Sequence, residues 1–209
     1  MVSLAARIAR RIRREALWFD DLVHDLGLGV RTSTRPFSGP PDPAARNVRY
    51  EPTSYAALTM IKDRLTLAPG DIFYDIGCGP GRALCYFARE PIAECIGVEL
   101  MPDLAAAARS NARKLRGRRA KIDIHTSDAT QQDYAGGTIF FMYNPFSIEV
   151  MAPVLDRINQ GRDGREVRIV YANPVVAEAM DRCDWLARAE EFLVPYAGSV
   201  MPVAVWRSR

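Results

Sequence analysis

Apolar residues recur at spacings of three and four through residues 3–26: Ile8, Ile12, Ala16, Phe19, Val23 and Leu26. That period predicts an amphipathic helix with its arginines largely on the other faces. Such a helix is expected to dock its apolar stripe on a main domain; a basic helix lying on a membrane surface is the other reading. Gly27 and Gly29, followed by Pro36, Gly39, Pro40, Pro41 and Pro43, predict a linker.

From residue 53 the pattern alternates between short apolar runs and helical periods. Thr53 or Ser54 is suited to cap a helix through Leu65. Strands are predicted at 72–76, 95–100, 122–126, 138–143, 167–172, 189–194 and 200–206. Helices are predicted at 82–89, 103–115, 148–159 and 175–182. Strands alternating with helices imply an α/β, doubly wound, mostly parallel seven-stranded sheet with helices on both faces. The last two strands are joined by a short turn at Pro195–Gly198, which predicts a C-terminal antiparallel hairpin. The expected organisation is a basic N-terminal helix and linker over 1–49 and one domain over 50–209.

Composition narrows the class. The chain has 209 residues, 48% hydrophobic and 25% charged, the profile of an ordinary globular protein. The longest runs without a charge, Tyr134–Ile148 and Phe192–Trp206, are 15 residues each and contain Pro and Gly. A membrane span needs about 20 apolar residues, so none is expected. Arginines at 7, 10, 11, 13 and 14 interrupt any apolar signal core. Cys78, Cys85, Cys95 and Cys183 form no CxxC, and His24 and His125 are the only histidines. No metal site is expected, and scattered thiols fit a reducing, cytoplasmic setting.

Charge is unevenly placed within a net +3. Residues 1–49 hold nine arginines against five acids. A second basic cluster runs through Arg109, Arg113, Lys114, Arg116, Arg118, Arg119 and Lys121. Such clusters serve as solvated helix ends or attract nucleic acid or acidic protein.

The chemistry concentrates at Phe73–Arg82, FYDIGCGPGR, where the first sheet strand gives way to a helix. Glycines there let the backbone turn sharply and approach a ligand. The spacing is GxGxG: Arg82 stands where a dinucleotide fingerprint has its third glycine. Glu99 closes the next strand, where a carboxylate can accept two hydrogen bonds from a ribose diol. Asp128 follows the third strand and could accept from an adenine amino group. All three acids, Asp75, Glu99 and Asp128, fall at strand carboxyl ends, the side on which such sheets bind ligands. The bland alternative is a tight turn with surface acids.

At these residues the chain resembles class I S-adenosylmethionine-dependent methyltransferases. DIGCGPG (Asp75–Gly81) is similar to their first motif, GVEL (Gly97–Leu100) to their acidic second-strand motif, and SDA (Ser127–Ala129) to their third-strand motif. The resemblance covers about residues 50–209 and implies a Rossmann-like methyltransferase fold. It implies S-adenosylmethionine as cofactor. The methionine part falls to Asp75, Gly77, Cys78, Gly79 and Gly81, the ribose to Glu99 with Leu100, and the adenine to Asp128 with Ala129.

A narrower likeness lies upstream. Tyr50-Glu51-Pro52-Thr53-Ser54 resembles the segment with which non-SET lysine methyltransferases close over the cofactor, which would make Tyr50 and Thr53 cofactor contacts. Pro52 departs from that pattern, since those enzymes usually have an acid there. A packed aromatic and a helix cap would explain the two residues equally well.

The acceptor side is marked by Ile139–Phe146, IFFMYNPF, a buried strand ending in Asn, Pro and an aromatic. Amino-methylating enzymes often place such residues there, and the NPF here is a partial match to NPPY. Asn144 and Tyr143 are the expected acceptor-positioning residues; the alternative for Asn144 is a turn residue that satisfies local backbone groups. Tyr171-Ala172-Asn173-Pro174 ends the next strand in a similar way and could form the other wall. Met101, Met142 and Met151 are expected in the core.

The function expected is methyl transfer to an unidentified acceptor. Protein lysine is favoured by the upstream motif, while nucleic acid and small molecules stay open. A nicotinamide-dependent oxidoreductase would share the turn and Glu99, but Arg82 breaks its fingerprint. A non-catalytic cofactor-binding module would keep the loop without turnover.

Overall fold

A computed structural model describes residues 4–33 and 52–209. The elements in chain order are α1 (Leu4–Leu28), α2 (Tyr55–Arg64), β1 (Ile72–Ile76), α3 (Arg82–Phe87), β2 (Glu94–Glu99), α4 (Pro102–Lys114) and β3 (Lys121–Thr126). They continue with β4 (Ile139–Tyr143), α5 (Ile148–Gly161), β5 (Arg168–Ala172), α6 (Ala177–Asp181), β6 (Leu186–Tyr196) and β7 (Ser199–Ser208). The seven strands form one sheet in the order β3-β2-β1-β4-β5-β7-β6. All neighbours from β3 to β5 are parallel, and β7 is antiparallel to both β5 and β6.

Buried side chains explain why these runs became strands. Along β1, Phe73 packs on one face with Leu58, Leu84 and Phe87, while Tyr74 and Ile76 pack on the other with Phe140, Met142 and Ile158. Apolar cover on both faces is what a parallel sheet requires. Met142 and Met151 are fully buried, but Met101 lies at the surface.

Winding reverses between β1 and β4, so the crevice outside their carboxyl ends is where a doubly wound sheet takes its ligand. The hairpin reaches past that rim. Ala172, the last residue of β5, pairs with Val203, so Ser199–Pro202 and the end of β6 run beyond it. The hairpin strands are longer than expected. They close through Ala197 and Gly198, both at positive φ, the geometry of a tight mirror-image turn.

Two expectations about the N-terminal extension are overturned. The stripe of α1 does not dock: Ile8, Ile12, Phe19, Val23 and Leu26 are 49–67% exposed. The opposite, polar face is the buried one, through Asp21, Asp25 and Leu28. The expected linker does not include its first glycine positions, and Pro36, Gly39, Pro40, Pro41 and Pro43 lie outside the described residues. Gly27 is helical, and Leu28, Val30 and Thr32 are buried against the main domain. The expected boundary at 49/50 and residue Tyr50 lie outside the described residues.

Candidate functional site

Three glycines at positive φ, Gly77, Gly79 and Gly81, carry the chain from β1 into α3. At Gly77 a side chain would meet Pro145 Cβ at 3.0 Å, so the glycine loop and the end of β4 touch at the winding reversal. At Gly81 it would meet Ala108 of α4 at 3.3 Å. The backbone N–H groups of Gly77 and Cys78 both donate to the Val98 carbonyl, at 2.8 and 3.1 Å, tying the loop to β2.

Glu99 is buried, and both of its oxygens are held. Oε2 accepts from Gly79 N–H at 2.8 Å and Oε1 from Met101 N–H at 2.9 Å. A carboxylate has about four acceptor positions, so lone pairs remain for a diol. Asp75, at the end of β1, accepts from Leu84 N–H at 3.2 Å. Burial pushes its carboxyl up to about 7, and the charge of Glu99 adds to the shift. The strongly buried ion pairs among the described residues are Arg82–Asp21 and Arg168–Asp71; neither Asp75 nor Glu99 takes part in an ion pair there. Two buried carboxylates without a cation make a site suited to a positively charged ligand.

The remaining predicted residues divide. Asp128 is exposed, and its Oδ1 accepts from the Thr130 N–H and hydroxyl, both at 2.8 Å. Ala129 beside it is buried, and Leu100 is half exposed. Cys78 turns its side chain into the core, where its sulfur occupies the space a side chain at Gly97 would need. Its buried thiol is pushed well up, so only its backbone is available to a ligand. Ser54, not Thr53, caps α2: its hydroxyl accepts from Ala57 N–H at 3.2 Å. Thr53 is buried, and its carbonyl accepts from Arg82 at 3.3 Å.

Arg82 organises the other side of the loop. Its guanidinium donates to Asp21 Oδ2 at 2.7 Å, Thr32 Oγ1 at 2.8 Å and Ser33 Oγ at 2.8 Å. Burial raises the Asp21 carboxyl, and Arg82 offsets that only in part. Asp25 accepts from Thr32 N–H at 2.6 Å, and from Thr32 Oγ1, Ser33 N–H and the Tyr55 hydroxyl at 2.7 Å each. Burial alone would raise Asp25; these hydrogen bonds outweigh it and hold the carboxyl below its ordinary value. On α4, the Asn111 amide donates to the Pro80 carbonyl at 2.9 Å and exchanges hydrogen bonds with the backbone of Arg31. Sequence reasoning missed the roles of Arg82, Asp21, Asp25 and Asn111. Their one signal was polar residues on helix faces that the fold must bury.

At the acceptor end Asn144 has φ 37, a left-handed conformation that Asn tolerates better than most residues. Its Oδ1 accepts from the Tyr171 hydroxyl at 3.2 Å, and its N–H donates to the Ala172 carbonyl. The amide is thus oriented by the neighbouring strand. Asn173, also followed by Pro, takes the same backbone conformation at the end of β5, with φ 51. Tyr143 lies 6.4 Å, centroid to centroid, from Tyr196 of the hairpin, a neighbour the sequence did not reveal. A separate cleft between α1 and the hairpin tip is lined by Arg13, Leu17, Asp20, Pro195 and Ser199 and lies apart from the glycine loop.

Residues 73–160 match the family model of a methyltransferase domain. The fold is similar to that of an RNA methyltransferase from Salinibacter ruber, solved with S-adenosyl-L-homocysteine. The TM-score is 0.57 at 22% identity, over 76% of this chain and 92% of that one. It is also similar to magnesium protoporphyrin IX methyltransferase from Synechocystis, solved with S-adenosylmethionine, at TM-score 0.56 and 13% identity, over 74% and 76% of the two chains. In sequence, 92 residues are 32% identical to the histone H3 lysine-79 methyltransferase of Dictyostelium discoideum; the match spans 37% of this chain and 5% of that protein. The chain therefore shares the fold of these methyltransferases, and residues 73–160, less than half of its length, match the methyltransferase-domain family model.

Proposed function

We propose that this protein transfers the methyl group of S-adenosylmethionine to an amino nitrogen, with a protein lysine as the favoured acceptor. The observation that carries this reading is the Asn144 amide, oriented by Tyr171 and placed beside the glycine loop through the Pro145–Gly77 contact. The histone-lysine specificity of the Dictyostelium relative supports a lysine.

Bound S-adenosylmethionine supplies an electrophilic methyl on a sulfonium. Asp75 and Glu99 offer negative charge to the cation and its ribose, and the glycine loop gives backbone access. Asn144 Oδ1 has a second lone pair to accept an amine N–H, and Tyr143 and Phe146 wall the approach. Holding the nitrogen in line at about 3–3.5 Å is the main catalytic task. Exclusion of water lowers the amine's pKa, so that more of it is present as the free base. In this reading residues 50–209 form the catalytic domain, which acts in the cytoplasm with its cysteines unpaired.

The test is incubation of a cell extract with radiolabelled cofactor, followed by protease or nuclease digestion. Label released only by protease, and recovered as methyl-lysine, supports the reading. Label released by nuclease moves the acceptor to nucleic acid. Calorimetry that showed binding of a nicotinamide dinucleotide and none of S-adenosylmethionine would overturn the class.

A further inference from the structure

The outward face of α1 is unexplained by the catalytic site. Ile8, Ile12, Ala16, Phe19, Val23 and Leu26 lie within an arc of about 80° at the helical period, and all of them are exposed. The orientation is fixed from behind. Asp21 and Asp25 on the opposite face are tied to Arg82, Thr32, Ser33 and Tyr55. Gly198 of the hairpin tip sits so close to the Arg10 carbonyl that any side chain there would collide. Turning the stripe inward would break the buried network, so the apolar face is held toward solvent.

Charge brackets that face at both ends. Among the described residues Arg7, Arg10, Arg11 and Arg13 have no ion-pair partner, and Arg14 pairs only with its neighbour Glu15. Arg11 and Arg13 flank the stripe on its two sides, outside Glu15, which is paired with Arg14, and Asp20, which is beside His24; the arginine stems are long enough to lie along an apolar boundary while the guanidinium reaches phosphate. At the other end Arg116 donates to the Leu26 carbonyl at 3.4 Å and its N–H to the Leu28 carbonyl at 2.9 Å. That puts exposed Arg113, Lys114, Arg118 and Arg119 near the last turn of α1. No helix among the described residues is long and apolar enough to cross a membrane.

We propose that α1 binds an anionic lipid surface, with its apolar stripe at the headgroup–acyl boundary and its arginines on lipid phosphates. An exposed stripe, a basic surround and half-exposed Trp18 are the features of a helix that lies in a membrane interface rather than spanning it. A nucleic acid would satisfy the arginines and leave the stripe in water. A second copy packed stripe to stripe would set cations against cations in either orientation, because both ends are basic. An anionic bilayer satisfies both features at once.

The experiment is co-sedimentation of the full chain with vesicles of equal parts phosphatidylglycerol and phosphatidylcholine, and with phosphatidylcholine alone. Binding to the anionic vesicles, weakened by added salt, is expected. Ile12→Asp with Phe19→Asp, or Arg11→Glu with Arg13→Glu, should each lower the bound fraction at least about tenfold. Ile12, Phe19 and Arg11 face away from the anchoring network, so in the Ile12→Asp with Phe19→Asp variant the urea midpoint and S-adenosylmethionine affinity should not change; Arg13 borders the cleft at the hairpin tip, so the arginine variant is compared only at a matched urea midpoint. Phe19→Trp gives a readout that needs no disruptive variant: its emission should shift to the blue on anionic vesicles. Absence of binding, binding indifferent to the stripe, or a dimer that the stripe variants dissolve would each overturn the proposal.

Discussion

Arg82 and Asp21 form a buried ion pair at 2.7 Å that joins the first residue of α3 to the helix α1. The same guanidinium touches the Thr53 carbonyl, so the N-terminal extension, the segment before α2 and the glycine loop meet at one side chain.

Removing one partner of a buried pair leaves the other uncompensated, at a cost of about 3–5 kcal/mol. Asp21→Ala should therefore lower stability by about that amount, less whatever Thr32 and Ser33 still supply to Arg82. Urea unfolding is the check. A loss under about 1 kcal/mol would show that water replaces Asp21 without penalty.

Glu99→Ala should weaken S-adenosylmethionine binding by about 1–3 kcal/mol, the scale of hydrogen bonds to a charged group. It also strands the Gly79 and Met101 N–H groups that Glu99 now accepts from. Calorimetry on a variant of native melting behaviour tests this. Unchanged affinity would remove Glu99 from the cofactor site.

Asp75 predicts a pH dependence. Its carboxyl, raised by burial to about 7, holds a proton in the folded state over a range where the unfolded chain has lost it. Stability of the ligand-free protein should therefore fall as pH rises from about 4 toward 7, then level off. A sulfonium ligand favours the ionised carboxylate, so affinity should rise by up to about tenfold between pH 6 and pH 8. Asp75→Asn should flatten both profiles. A pH-independent wild-type affinity would contradict the placement of Asp75 beside the ligand's charge.

Asn144→Ala should leave S-adenosylmethionine affinity within about threefold, under roughly 0.7 kcal/mol. Methyl transfer should fall at least about a hundredfold, some 2.7 kcal/mol of transition-state stabilisation. Asn144→Gly, which tolerates φ 37 without strain, separates loss of the amide from backbone cost and should be equally slow. Tyr171→Phe, losing only the hydroxyl that orients Oδ1, should fall about tenfold. Full turnover in Asn144→Gly would reduce Asn144 to a turn residue.

The sequence by itself determined the sheet, the glycine loop and the hairpin. These rest on local rules: alternating helix and strand periods, glycines where φ must be positive, and two apolar strands around a short turn. It also brought Asp75, Glu99 and Asn144 to one rim, because parallel strands share a carboxyl end. Tertiary structure alone decided which face of α1 is buried. Apolar periodicity predicts docking through Ile8, Ile12 and Phe19, yet the buried face is set by Asp21 and Asp25. Their partners lie as far away as Arg82, 61 residues from Asp21. Arg82 read in sequence only as a broken fingerprint, Tyr171 as a strand end that could wall the acceptor site, and Tyr196 as part of the hairpin turn. Pairings across such separations have no local period, so they emerge only when the chain closes and each buried polar group must find its partner.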